Sequence, residues 1–383
     1  MTRGARILVA AVVAVGAATA ASFAGPARSA DGVAITVPAG FVAQRIATVR
    51  GARELSVAPN GDLFVGTLGN AVVVVPDAQG TPGAAQTFAT FGDRPVAGVA
   101  LSADALYAGG QFGVYRVAYR TGDRVAREHP RKIAAVRTGG GGGHSTTTVA
   151  LSKGTLYASV GSSCNACQER DPTRATVQAM TPDGGDMHAR AVDIRNAIAL
   201  AVQPGTGGVW AGVAGRDELE HGHPYEIFDD ISAHAGTPDY GWMLCYDDHK
   251  PIRGASCANV VVPRVVFPAY DTPIGAAFYP LDGNGRYAFP ARYRGGAFVA
   301  LHGSWHTPPV APRVAFVPFH GDVPATPVDW SNPGAQWSEF AGGCQGADGS
   351  RRCRPTGVAI GTDGSLFISE DSDGAVYRIR PER

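Results

Sequence analysis

Short apolar runs, alternating with small or polar residues and broken by a tight turn, recur along the whole chain. Leu55-Ser-Val-Ala-Pro-Asn-Gly-Asp-Leu-Phe-Val-Gly is one copy. Gly98-Val-Ala-Leu-Ser-Ala-Asp-Ala-Leu-Tyr-Ala-Gly and Thr148-Val-Ala-Leu-Ser-Lys-Gly-Thr-Leu-Tyr-Ala-Ser follow it. The pattern returns from Ala199, more loosely from Gly275 with a second half at Gly296, and last from Gly357. Period-two alternation on both sides of a Gly- or Asp-containing turn predicts a β-hairpin. The first four copies lie roughly 43 to 50 residues apart, near the length of one four-stranded propeller blade. Later gaps hold loop-like insertions at Asp230–Pro263 and Val323–Arg352. Six copies predict an all-β, six-bladed β-propeller, a single domain over residues 31–383. Phe41-Val-Ala-Gln-Arg-Ile-Ala-Thr and Ala375-Val-Tyr-Arg-Ile-Arg are alternating strands from opposite ends of that domain, expected to share one blade and close the ring. Two separate β-sandwiches are the competing fold, disfavoured because no linker or composition shift divides the repeats.

Composition sharpens this picture. The 51 Gly and 27 Pro are both in excess and suit strands cut by turns. Equal numbers of basic and acidic side chains, 33 of each, exclude a general nucleic-acid binder, which needs a surplus of Lys and Arg. At the N-terminus, Arg3 and Arg6 precede an uncharged run from Ile7 to about Ala21 and then small residues. This is the layout of a secretory signal over residues 1–30, and it predicts a secreted or periplasmic protein with no membrane span. The six cysteines fall into local couples, Cys164 with Cys167, Cys245 with Cys257 and Cys344 with Cys353, read as loop-pinning disulfides. Gln168 stands where a c-type haem site would need His, and no second ligand pair supports zinc.

In a propeller the loops leading into the innermost strands crowd one mouth of the central channel. Just upstream of the successive copies stand Arg53, Arg94, His144, Arg195 with Asn196, Asp271 with Thr272, and Arg354. Guanidiniums at equivalent repeat positions repel one another unless an anion lies among them, and Arg suits carboxylate or phosphate through paired N–H donors. A small polyanionic ligand at the axis is the expectation; pairing of each Arg with a local carboxylate such as Glu54, Asp93 or Asp193 is the alternative. His144 follows the glycines 139–143, which allow close backbone approach. Among like charges its protonated form is disfavoured, which makes it a candidate base. Arg216-Asp217-Glu218 offers oxygen donors for calcium near the same mouth. His302 and His306, like His221 and His223, are close in sequence but need not face one ligand. Asp371-Ser-Asp373-Gly374 lacks the distal Glu of a calcium loop and reads as a turn.

These residues bring a family into view. Gly143-His144-Ser-Thr-Thr-Thr-Val-Ala-Leu, Gly161-Ser-Ser-Cys-Asn-Ala-Cys167, Ile194-Arg195-Asn196 and Arg216-Asp217 resemble the glucose/sorbosone dehydrogenase family. So do Tyr240-Gly-Trp242, Phe298-Val-Ala-Leu-His-Gly-Ser-Trp305 and Arg354-Pro-Thr-Gly-Val-Ala, most closely in its L-sorbosone-dehydrogenase-like branch. The resemblance runs from about Val37 to the C-terminus. It implies a six-bladed propeller that carries pyrroloquinoline quinone (PQQ), often with calcium, and oxidises sugars at the anomeric carbon. By match to the motifs, His144 would take the hydroxyl proton, Arg195 and Asn196 would contact the quinone oxygens, and Arg354 a carboxylate. The loop at Arg216, Asp217 and Glu218 would supply cofactor and calcium contacts. Relatives usually have Pro where this chain has Ala197, and Asn-Arg where it has His306 and Thr307; the basic residue expected further along falls near Arg313.

The expectation is therefore an exported quinone-dependent dehydrogenase of an aldose or sugar-derived aldehyde, passing electrons to a separate external acceptor. A non-catalytic extracellular binding propeller is the alternative. A calcium-dependent lactonase is less favoured, since it would want carboxylate ligands at an axis that here is rich in Arg.

Overall fold

The structure is a computed structural model that describes Met1, residues 34–306 and residues 308–382. The segment expected to be a secretory signal lies, Met1 aside, outside the described residues. Among the described residues the chain is all-β, and its one helical piece is the 3-10 turn Ala291–Tyr293.

The strands form successive four-stranded antiparallel meanders, each beginning with one of the sequence copies. Ala52–Val57, Leu63–Thr67, Ala71–Val75 and Gln86–Thr90 make the first unit, and Val96–Leu101 opens the second. A lone pairing of Thr67 with Val96 joins these two into one sheet. The later units open with Val149–Ser152, Ala199–Val202, Pro273–Phe278 and Pro355–Ile360. In the last unit the fourth strand comes from the other end of the chain: Phe41–Thr48 runs antiparallel to Ala375–Pro381, from Phe41 opposite Pro381 to Thr48 opposite Ala375. The first strands of successive units touch in chain order, and Ala52–Val57 touches Pro355–Ile360 in turn.

The sequence explains this close approach. Gly98, Gly275 and Gly357 open three copies of the repeat, and a Cβ on any of them would strike a neighbouring unit's backbone at Thr147, Thr356 or Arg53. Alternation then sends larger apolar side chains between the sheets. Trp210, fully buried, packs against Phe228, Phe278 and Phe319 between the fourth and fifth units. Phe41 packs edge-on against Phe289, Tyr293 and Phe340, so the N-terminal strand is held by an aromatic core as well as by its ladder. Each such buried ring contributes roughly 1.5–3 kcal/mol. All three expected disulfides are present, Cys164–Cys167, Cys245–Cys257 and Cys344–Cys353.

Candidate active site

The loops that lead into the first strands of the units carry most of the residues singled out above, and they meet in two connected clusters. In one, Arg53 of the first unit donates from Nη1 to Asp371 of the last unit at 2.9 Å. His302 donates from Nε2 to the same carboxylate at 3.1 Å. Arg354 lies 2.7 Å from His302 with its Nη2 on the imidazole Nδ1. A guanidinium can only donate, so Nδ1 accepts, and His302 is the neutral tautomer with its proton on Nε2. Burial, outweighing the pull of Asp371, pushes the His302 pKa down to about 4. Arg53 is buried and the Asp371 carboxylate is largely shielded, yet the Nε atoms of Arg53 and Arg354 have no hydrogen-bond partner among the described residues.

The second cluster surrounds His144. Its Nδ1 faces the Ser162 carbonyl at 3.2 Å and the Ser162 Oγ at 3.1 Å. The carbonyl only accepts, and the hydroxyl already donates to the Cys164 carbonyl at 2.7 Å, so Nδ1 carries the proton. Nε2 therefore keeps its lone pair. Burial first, then the nearby Arg195, pushes the His144 pKa down to about 4. Asn196 is buried, but its amide makes no side-chain hydrogen bond among the described residues. Its Oδ1 and the His144 Cβ both crowd Gly161.

Arg195 donates to the carbonyls of Asn165, Ala214 and Gly215 and pairs with Asp217 at 3.3 Å. Asp217 also faces His306 Nε2 at 3.4 Å. The His306 ring stacks on Tyr270, with centroids 3.6 Å apart, and on Trp305, which is 76% exposed. His302 and His306 thus face different partners. The segment between them joins the two clusters, and the Thr272 carbonyl fixes it by accepting from the His302 backbone N–H.

The other candidates make separate contacts around these clusters. Arg216 donates to the Met243 carbonyl at 3.3 Å, and its Nε is buried without a partner. Arg94 is exposed in a groove lined also by Arg50, Asp371 and Asp373, so it borders the first cluster. Arg313 pairs with Asp271 and lies over the Trp337 ring. Burial lifts the Asp271 carboxyl to about 6 against the pull of Arg313. Glu218 is exposed at a positive φ of 66°. Arg53 and Arg195 do have acidic partners, Asp371 and Asp217, in place of the Glu54, Asp93 or Asp193 weighed as counter-ions from the sequence.

Four side chains that shape the site gave no signal in the repeat. Arg137 is fully buried and donates to the carbonyls of His144, Thr146 and Gln111. Arg174 donates to those of Gly140, Gly142 and Gly161. Together they fix the Gly-rich loop from beneath. Glu226 accepts from the backbone N–H of Gly215 and of Tyr270, and burial lifts its pKa to about 8. Asn165 bonds to Arg195 and Asp217. Arg137 stands just ahead of the glycine run and Asn165 inside the quoted Gly161–Cys167 motif, whereas Arg174 and Glu226 lie in no pattern.

The donor set fits a polyanion. Arg53, Arg195, Arg216 and Arg354 are set against two carboxylates, Asp217 and Asp371, and three of these guanidiniums have a buried N–H without an acceptor. Calcium fits less well at residues 216–218. The Asp217 carboxylate is engaged by Arg195 and His306, and the Asp217 carbonyl accepts from Asn165.

The comparisons come from both sequence and fold. Residues 229–382 match the family model described as TrAA12-like. An uncharacterized protein of Borreliella burgdorferi is 24% identical over 198 residues, 50% of this chain and 48% of that relative, so the match spans about half of the curated relative. Among solved structures, the calcium structure of the Trichoderma reesei carbohydrate-active enzyme of family AA12 has a TM-score of 0.75 at 21% identity, covering 91% of this chain and 97% of that one. The holo form of the pyranose dehydrogenase PQQ domain from Coprinopsis cinerea has a TM-score of 0.75 at 19% identity, with 90% and 97% covered. The soluble aldose sugar dehydrogenase of Escherichia coli, in its apo-form, has a TM-score of 0.62 at 15% identity, with 89% and 100% covered. These likenesses are of fold. They agree with the resemblance carried by the sequence motifs.

Proposed function

We propose that this chain is an exported, PQQ-dependent dehydrogenase that oxidises an aldose or a sugar-derived aldehyde, built on a six-bladed propeller closed by the pairing of its terminal strands. One observation supports the reading: among the described residues Arg53, Arg216 and Arg354 each keep a buried N–H without an acceptor, and the segment from His302 to His306 links them to the cluster that holds neutral His144. Such an arrangement is suited to hold a tricarboxylate beside a base. The folds shared with a pyranose dehydrogenase PQQ domain and an aldose sugar dehydrogenase support it. The three disulfides fit an oxidising compartment, and no helix among the described residues is long and apolar enough to cross a membrane.

Arg53 and Arg354 would grip carboxylates of the cofactor through their unpartnered N–H groups. Arg195 and Arg216 add positive charge on the facing side, and the amide of Asn196 can donate to a carbonyl oxygen. When bound, PQQ supplies the hydride acceptor that the protein lacks, and its electrons leave to a separate external acceptor. His144 Nε2 takes the proton of the substrate hydroxyl, while the Nδ1–H bond to Ser162 keeps the ring oriented. The low pKa of that ring means the proton is released readily to water. The exposed face of Trp305, backed by His306 and Tyr270, offers a flat apolar surface for the C–H face of a sugar. No step is assigned to calcium.

Protein incubated with PQQ, with and without calcium, should reduce an artificial dye when given aldoses. No dye reduction with any aldose or with sorbosone, together with no cofactor spectrum in the protein, would overturn the proposal.

A further inference from the structure

Asn165 lies inside the short loop closed by the Cys164–Cys167 bridge, and its carbonyl and side-chain amide bond to Arg195, Asp217 and Trp242. Its backbone carbonyl accepts from Arg195 Nε at 3.1 Å and from Trp242 Nε1 at 2.9 Å. Its side-chain Oδ1 accepts from Arg195 Nη2 at 3.0 Å and from the Asp217 backbone N–H at 2.8 Å. Its Nδ2 donates to the Asp217 carbonyl at 3.1 Å. One residue earlier, the Cys164 carbonyl takes the Ser162 hydroxyl proton that decides the tautomer of His144. A single disulfide-closed loop therefore reaches the base, the guanidinium and the Asp217 loop.

We propose that Asn165 is a positioning residue for the anion-binding mouth, held in place by the Cys164–Cys167 bridge. The proposal rests on the quinone reading only for the choice of titrant. An amide suits this place better than a carboxylate for a physical reason. Arg195 already faces one carboxylate, Asp217 at 3.3 Å, and neutral oxygens from Asn165, Ala214 and Gly215 hold the rest of its fork without adding a second negative charge, so part of its charge stays available to an incoming anion. Aspartate would hold the fork equally well but would neutralise it, and it would lose the donor that Nδ2 gives to the Asp217 carbonyl. The bridge leaves the loop few backbone states, so Asn165 meets these partners without ordering a flexible segment first.

The test compares Asn165→Asp, which conserves shape, with Asn165→Ala and with Cys164→Ser/Cys167→Ser. Two readouts are taken: PQQ titration, and hydrogen–deuterium exchange of residues 214–218 in ligand-free protein. Each variant should weaken PQQ binding about tenfold or more, the loss expected when hydrogen bonds to a charged group are removed. Asn165→Ala and the double variant should also speed exchange at 214–218 with the other sheets unchanged. Unchanged exchange at 214–218 in Asn165→Ala, or a rise spread evenly over all sheets, overturns the proposal, as does wild-type PQQ affinity in Asn165→Asp. If wild-type protein fails to bind PQQ while exchange at 214–218 still responds locally to Asn165→Ala, the quinone reading falls and the positioning role stands.

Discussion

Gly161 stands so close to His144 that a Cβ built on the glycine would lie 2.5 Å from the histidine Cβ, and closer still to Asn196 Oδ1. The backbone at Gly161 lies outside the positive-φ region, so the need for glycine there is steric. Gly161→Ala should displace both the base and the free amide together. We expect dehydrogenase activity to fall at least tenfold, with a loss of stability of about 1–3 kcal/mol from overpacking. Kinetics beside a denaturant titration checks both, and an alanine variant with wild-type turnover would show that the two side chains need not be held against each other.

The depressed pKa of His144 gives a pH signature. Its folded-state value of about 4 lies below the ordinary 6.5. Between those values the unfolded chain binds a proton that the folded chain does not, so stability from neutral His144 is present above 6.5 and is lost as pH falls toward 4. His302 acts in the same direction over the same window. NMR titration of the His144 ring in ligand-free protein should give a midpoint near 4. His144→Ala should lower turnover about 10²–10⁴-fold, the usual worth of a positioned base, while the fold melts as a unit.

Asp371 is the acid to which both Arg53 and the neutral His302 donate in the first cluster. Arg53 and Asp371 are both largely shielded from water. Asp371→Ala leaves a buried guanidinium without its counter-charge, so a loss of about 3–5 kcal/mol is expected in chemical unfolding. Asp371→Asn, which keeps the oxygen facing Arg53, should lose less.

The repeat was legible because hairpins write a two-residue period and a turn into the chain, and because Gly98, Gly275 and Gly357 mark where first strands press together. The same register pointed to Arg53, His144, Arg195, Asn196 and Arg354. It was silent on their partners. Asp371 comes from a turn in the last unit to meet an Arg of the first, and Asn165 from a disulfide loop outside the repeat. Arg137 and Arg174 work by reaching carbonyls of the Gly-rich loop, and no pattern of residue types records that. Arg94, at the equivalent position before its strand, is exposed in a groove that Asp371 also lines. Backbone period places a residue at the mouth, whereas long side chains choose partners across units.

Trp305 separates sugar binding from cofactor binding. Its exposed ring rests on His306 and touches no catalytic atom. Trp305→Ala should raise KM for the sugar severalfold, leave kcat within about twofold and leave PQQ affinity unchanged, since contact with one aromatic face is worth on the order of 1 kcal/mol. A fall in kcat with KM unchanged would move Trp305 from substrate binding to the reacting centre.

The most direct test of the whole account is a spectroscopic titration with PQQ, wild type against Arg354→Ala. The account expects saturable binding by the wild type and binding at least tenfold weaker in the variant, with both proteins melting as folded units. Equal affinity in the two, or no binding by either, would contradict it.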